Sequence, residues 1–119
     1  MEERRRAVRA LARLMVRAIQ LPDGPTRSMT TKDISLGGFC CLAEQVLSPG
    51  TVFQMAIGLP GREPPRPCTG EVVWSHPYET VSQTGRERGA EMGIRIAEIA
   101  PADREAISVF VQNRGQPPI

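Results

Sequence analysis

Asp33, Ser35, Gly37 and Gly38 fall within one six-residue stretch, Asp33-Ile34-Ser35-Leu36-Gly37-Gly38, which runs straight into the apolar segment Phe39–Leu42. A carboxylate accepts hydrogen bonds, a hydroxyl both donates and accepts, and glycines let a backbone or a ligand come close. Taken alone, the stretch reads equally as a tight turn, with Asp33 and Ser35 bonded to their own backbone. A possible partner lies upstream. Fourteen of the fifteen basic residues are arginine, Lys32 being the only lysine, and Arg4, Arg5, Arg6, Arg9, Arg13 and Arg17 crowd into the first seventeen positions. Arginine presents a planar fork of donors that matches phosphates and guanine edges. A GC-rich genome would account for a preference for arginine over lysine, but not for the clustering.

The rest of the composition narrows the class. A chain of 119 residues suits one domain with one core. Aromatic residues make up only 4%, so the core must be built from aliphatic side chains and methionine. A net charge of +2 argues against general nucleic-acid binding. No apolar span is long enough for a transmembrane helix, and the N-terminus lacks the apolar region of a secretory signal. A cytoplasmic location with reduced thiols is therefore expected. Cys40, Cys41 and Cys68 with the single histidine, His76, do not make a zinc site. Cys40 and Cys41, as neighbours on a strand, are expected to divide between core and surface. No nucleophile–base pair, metal cluster or Walker-type loop is seen, so no enzyme activity, metal or cofactor is expected.

Most of the chain has β character. Val8, Leu11, Met15 and Ile19 fall at helical spacing, yet Leu14, Val16 and Ala18 alternate with Arg13, Met15 and Arg17 as in a half-buried strand. Residues 27–35, 39–42, 51–59, 68–75 and 88–99 read as further strands. The proline-rich stretch Pro60–Pro67 and the polar stretch His76–Glu87 read as loops. From Pro101 the pattern changes. Proline suits a first helical turn, Asp103 and Glu105 follow, and Ala106, Ile107, Phe110 and Val111 form one apolar stripe that ends near Gly115. Strands joined by turns, with no βαβ alternation, predict an all-β fold with one helix: a small antiparallel barrel or sandwich and a C-terminal α-helix.

With these elements in place, the sequence resembles the PilZ domain family, bacterial receptors for cyclic di-GMP. Arg5-Arg6-Ala7-Val8-Arg9 fits the family's RxxxR motif, and Asp33-Ile34-Ser35-Leu36-Gly37-Gly38 fits its [D/N]xSxxG motif. RxxxR is also met by Arg9 with Arg13, Arg13 with Arg17, and Arg62 with Arg66. DxSxxG is the more specific, with about 0.03 chance occurrences expected in a chain of this length. Gly70-Glu71-Val72-Val73-Trp74 and Met92-Gly93-Ile94-Arg95-Ile96, the latter followed by Ala100–Arg104, resemble the family's later strands and its final helix.

The resemblance implies a six-stranded antiparallel β-barrel with a C-terminal helix. It also implies a flexible arm over residues 1–12, a barrel and helix over 13–113, and a tail over 114–119. It resolves the N-terminal ambiguity toward an arm followed by a strand. The implied ligand is cyclic di-GMP, bound by Arg5, Arg9, Asp33, Ser35 and Gly38, with Arg4, Arg6, Gly37 and Trp74 nearby. Arginine forks would meet phosphates and the guanine N7/O6 edge, and Asp33 would accept from guanine N–H groups. Trp74 would stack on a base or lie in the core. The arm would order on binding and signal to a bacterial effector protein. The competing expectations are a PilZ-like interaction module that has lost the nucleotide, and a nucleic-acid binder that uses the arginine arm.

Overall fold

The fold is that of a computed structural model, which describes residues 9–115. Its elements in chain order are β1 (Ala10–Leu11), β2 (Met15–Gln20), β3 (Thr26–Ser35), β4 (Gly38–Ala43), β5 (Val52–Leu59), β6 (Arg62–Ser82), β7 (Gly85–Ile99) and α1 (Pro101–Gly115). All strand pairs are antiparallel, and six strands close into a ring in the order β3-β2-β5-β6-β7-β4, with β4 returning to β3. Closure leaves no long edge within the ring. The seventh strand, β1, pairs with the end of β3, Ala10 opposite Ile34 and Leu11 opposite Asp33. The N-terminal segment that fits a helix or a strand is a strand: Val16 and Ala18 are buried while Met15, Arg17 and Ile19 are exposed.

Alternation fills the ring. Val16, Met29, Ile34, Phe39, Cys41, Phe53, Met55, Ile57, Val72, Met92 and Ile94 belong to one core cluster. Ala106, Ile107 and Val111 of α1 join the same cluster and Phe110 packs on its margin, as the apolar stripe predicts. Burying that stripe is what holds the helix, because an isolated helix of this length is marginal. Asp103 in its first turn is tied to β6 by Arg66, whose Nη1 donates to Oδ1 at 3.2 Å.

Three expectations are corrected. The stretch Pro60–Pro67 is a loop only at its start, since β6 begins at Arg62. Pro64 and Pro65 fall where the β5–β6 register shifts, and Pro67, though opposite Ala56, precedes the start of β7 pairing at Cys68, so all three lie where β6 has a partner on one side alone. His76–Glu87 is also no loop, because β6 and β7 remain paired from His76 opposite Glu91 to Ser82 opposite Gly85. They form a ribbon that extends past the partners β5 and β4, whose pairing with them stops at Glu71 and Ala90. Such polar residues suit a ribbon with two solvated faces. Finally, Cys40 and Cys41 are both buried. Cys41 points into the core, where its sulfur lies 3.8 Å from that of Met29. Cys40 is on the opposite face but covered, as described below.

Thr31 is the buried polar residue that joins β1 to β2. Its hydroxyl accepts from Leu14 N at 2.8 Å and donates to the Ala12 carbonyl. Lys32 O accepts from Ala12 N and Thr31 N donates to Leu14 O, so residues 12–14 are clamped to the middle of β3. This clamp fixes where the chain before Ala10 meets the ring. Thr31→Val keeps the shape and leaves both backbone groups unpaired. It is expected to destabilise the protein by about 1–3 kcal/mol, read as a lower urea midpoint at unchanged slope.

Candidate functional site

β-Bulges aim the motif residues outward. Met29 and Thr31 face the core with the usual period of two, yet the next core residue on β3 is Ile34. The extra residue is Lys32: Thr31 and Asp33 pair with Cys41 and Cys40, consecutive residues of β4. The bulge turns Asp33 and Ser35 to the outer face. β6 does the same. Val72 faces the core opposite Ile94, Trp74 pairs with Gly93, and Val73 is the extra residue. Cross-strand partners share a face, so Asp33, Cys40, Gly93 and Trp74 form one outer row across β3, β4, β7 and β6. A second row, one step along, contains Ser35, Gly38, Arg95 and Glu71.

Arg9 closes the first end of these rows. Its Nη2 donates to Asp33 Oδ1 at 2.9 Å and its Nη1 to Ser35 Oγ at 3.3 Å. One guanidinium thus bridges both polar residues of the DxSxxG stretch, 24 and 26 positions away. The β1–β3 pairing puts it there, since Arg9 directly precedes Ala10. Ser35 Oγ also donates to Gly38 O across the turn. The Arg9–Asp33 pair is half open to water, with side-chain exposures of 50% and 22%. A pair of this kind is worth about 0–1 kcal/mol, so it positions Arg9 at small cost if the contact is exchanged.

The other predicted residues divide. Arg4, Arg5 and Arg6 lie outside the described residues. Gly38 is buried, and a Cβ there would overlap the Ile94 carbonyl oxygen of β7. Its glycine is therefore needed for strand approach. Gly37 has open space around its Cα, and its carbonyl accepts from Ile96 N at 2.9 Å. Neither has a positive φ. Trp74 is 38% exposed on the outer face, so it is not a core residue. Its indole lies over Gly93, where a Cβ would overlap the five-membered ring, and it meets His76 at a ring-centroid distance of 5.3 Å. His76 thus supports Trp74, a role its sequence context does not suggest.

Between Asp33 and Trp74 lies a polar cluster that sequence reasoning missed. Lys32 Nζ is 2.7 Å from Glu91 Oε2, and Cys40 Sγ–H donates to the same oxygen at 3.3 Å. The hydrogen bonds from Lys32 and Cys40 hold the Glu91 carboxyl below its usual range, and Glu91 in turn raises Lys32. Burial, then the bond to Glu91, pushes the Cys40 thiol up to about 11. Cys41 and Cys68 rise to about 12 and about 11, chiefly through burial. The signal for this cluster is the bulge, which moves Lys32 beside β4, and no residue pattern marks a bulge. Among the described residues, no group of three or more His, Cys, Asp or Glu is placed to hold a metal ion. No described helix is long and apolar enough to cross a membrane.

A closed antiparallel ring that holds Arg9 against an acid-and-hydroxyl turn and packs a C-terminal helix on its core defines a class of small β-barrel domains. The family model of the PilZ domain matches residues 3–113, and the chain belongs to that family. Comparison with curated proteins finds no match. Among solved structures, the chain is similar to the PilZ domain of YcgR from Escherichia coli, determined with c-di-GMP. The TM-score is 0.73 at 18% identity, covering 94% of this chain and 92% of that one. It is also similar to the Bacillus subtilis inhibitor of motility MotI (DgrA), with TM-score 0.68, 24% identity, and coverage of 94% of this chain and 51% of that one. At these identities the likeness is one of fold.

Two outcomes follow from the site's geometry. Trp74 is the only tryptophan, so its fluorescence reports on the row directly. Gly93→Ala should lift the indole off β7, shifting the emission maximum and raising acrylamide quenching. Only thiolates alkylate, and a thiol with a pKa of about 11 is roughly one part in 10⁴ ionised at pH 7. Labelling of the native protein by iodoacetamide should therefore be slow and should quicken about tenfold per pH unit up to pH 10. Glu91→Gln removes a charge that raises the Cys40 pKa, so Cys40 should label faster, as peptide mapping would show.

Proposed function

We propose that the domain is a receptor for cyclic di-GMP, gripped between the arginine segment and the outer face formed by Asp33, Ser35 and Gly38. The observation that carries this reading is the Arg9 bridge to Asp33 and Ser35. It joins the second arginine of RxxxR to the polar residues of DxSxxG. Membership of the PilZ family and the fold shared with a YcgR domain solved with c-di-GMP support the same ligand.

The chemistry is complementary. The ligand has two phosphodiester charges and two guanines. Arg9 is held by a weak, half-exposed pair, which ligand contacts can replace. Its fork fits a phosphate or the guanine N7/O6 edge. Asp33 then accepts from guanine N1–H and N2–H, and Ser35 bonds a phosphate or a base edge. Trp74 offers an exposed indole in the same row as Asp33, suited to stacking on a base. Arg5 is four residues before Arg9, and four residues of extended chain span up to about 14 Å. That length is enough for Arg5 to be brought to the Asp33 end of this face. Ligand binding would close the arginine segment that precedes Ala10 over the ring, while β1 and the Thr31 clamp already fix residues 10–12, and the newly formed surface is what a partner protein would read. No chemical step is assigned to the site; it binds and reports.

Titration calorimetry with cyclic di-GMP tests the reading. The intact domain is expected to bind. Arg5→Ala, Arg9→Ala and Asp33→Ala should each weaken binding by about 1.5–3 kcal/mol, as charge-assisted bonds are lost. A folded protein giving no heat at high ligand concentration would instead identify an interaction module that has lost the nucleotide. Equal affinity for single-stranded DNA, with a steep salt dependence, would identify a nucleic-acid binder.

A further inference from the structure

The turn Ser35–Gly38 has a cation on its other side as well. In the second outer row, Gly38 pairs with Arg95 of β7, and Arg95 pairs with Glu71 of β6. Arg95 is 54% exposed and its Nη2 donates to Glu71 Oε1 at 2.5 Å. Arg9 approaches Ser35 from the β1 side, while Arg95 stands beside Gly38 on the β7 side with its guanidinium held at Glu71. The turn between these two strands carries Gly37 and Gly38, which have no side chains, and a Cβ added at Gly37 would meet no neighbour within 4 Å. A doubly anionic ligand lying over that turn would meet Arg9 at one end and Arg95 at the other.

We propose that Arg95 is a further anion-contacting residue of this site, on the side opposite Arg9, with Glu71 as the counter-charge that holds its fork. The inference rests on the proposed cyclic di-GMP reading and adds to it a specific requirement: two separated negative charges. The plain alternative is that Arg95 and Glu71 only brace β6 against β7, as cross-strand ion pairs do.

Three variants separate the two. Arg95→Met keeps the aliphatic stem and removes the fork. Glu71→Gln breaks the ion pair and keeps Arg95. The double variant Arg95→Met/Glu71→Gln restores the wild-type net charge, which cancels any effect of the general field. Each is titrated with cyclic di-GMP at several salt concentrations, and thermal melts confirm folding. If Arg95 contacts the ligand, Arg95→Met weakens binding at least tenfold with a shallower salt dependence. The double variant then binds as weakly as Arg95→Met, and Glu71→Gln binds as well as wild type or better. If wild type binds and the double variant matches it, the inference is overturned while the receptor reading stands. If folded wild type does not bind, the receptor reading falls and this inference falls with it.

Discussion

One inserted residue on β3 decides the character of this domain. With unbroken alternation, Asp33 and Ser35 would follow Met29 and Thr31 into the core, where an unpaired carboxylate costs several kcal/mol. The Lys32 bulge exchanges the two faces midway along the strand. Thr31 stays inside and spends its hydroxyl on the chain between β1 and β2, while Asp33 and Ser35 turn to the face where Arg9 reaches them, Ser35 itself remaining buried. The Val73 bulge does the same for Trp74. Two local irregularities thus convert what would be core positions into a polar and aromatic outer face without opening the barrel.

The same face shows how weak and strong contacts are divided. The clamp of Thr31 on residues 12–14 is buried and satisfied on both sides, so it is costly to break. The ion pairs of Arg9, Lys32 and Arg95 are all partly exposed, and contribute little to holding the fold. Rigid scaffold and exchangeable surface are therefore separated by about one layer of atoms. Gly38 and Gly93 serve that separation, one letting β4 approach β7, the other letting an indole lie flat on the sheet.

Much of this was legible in the residues. The main buried positions of β2, β5 and β7 follow from period-two alternation. The helix follows from Pro101, the acidic first turn and the stripe Ala106–Val111. The family motifs pointed to Asp33 and Ser35, and the fold brings Arg9 to both. What stayed hidden has a common physical cause. A bulge is a mismatch between two strands, so neither strand's sequence displays it. This is why Trp74 was left between core and surface, and why Lys32, Cys40 and Glu91 were not seen as neighbours. The polar run His76–Glu87 lacked the one-sided apolar pattern that marks a strand, because as a ribbon it has no core to face. Arg95 was read as part of a strand motif, since its position beside Gly38 depends on β4 returning to β7.

The β6–β7 ribbon ties that outer face to a distant point. Its ladder is continuous from Trp74 opposite Gly93, in the row beside Asp33, to Ser82 opposite Gly85 at the tip. Eight residues of strand span roughly 26 Å. A tilt of only about 5° at the indole end would carry the tip through about 2 Å over that length. Over a ladder of that length, a small rearrangement at the outer face becomes a displacement of a few ångströms at the tip.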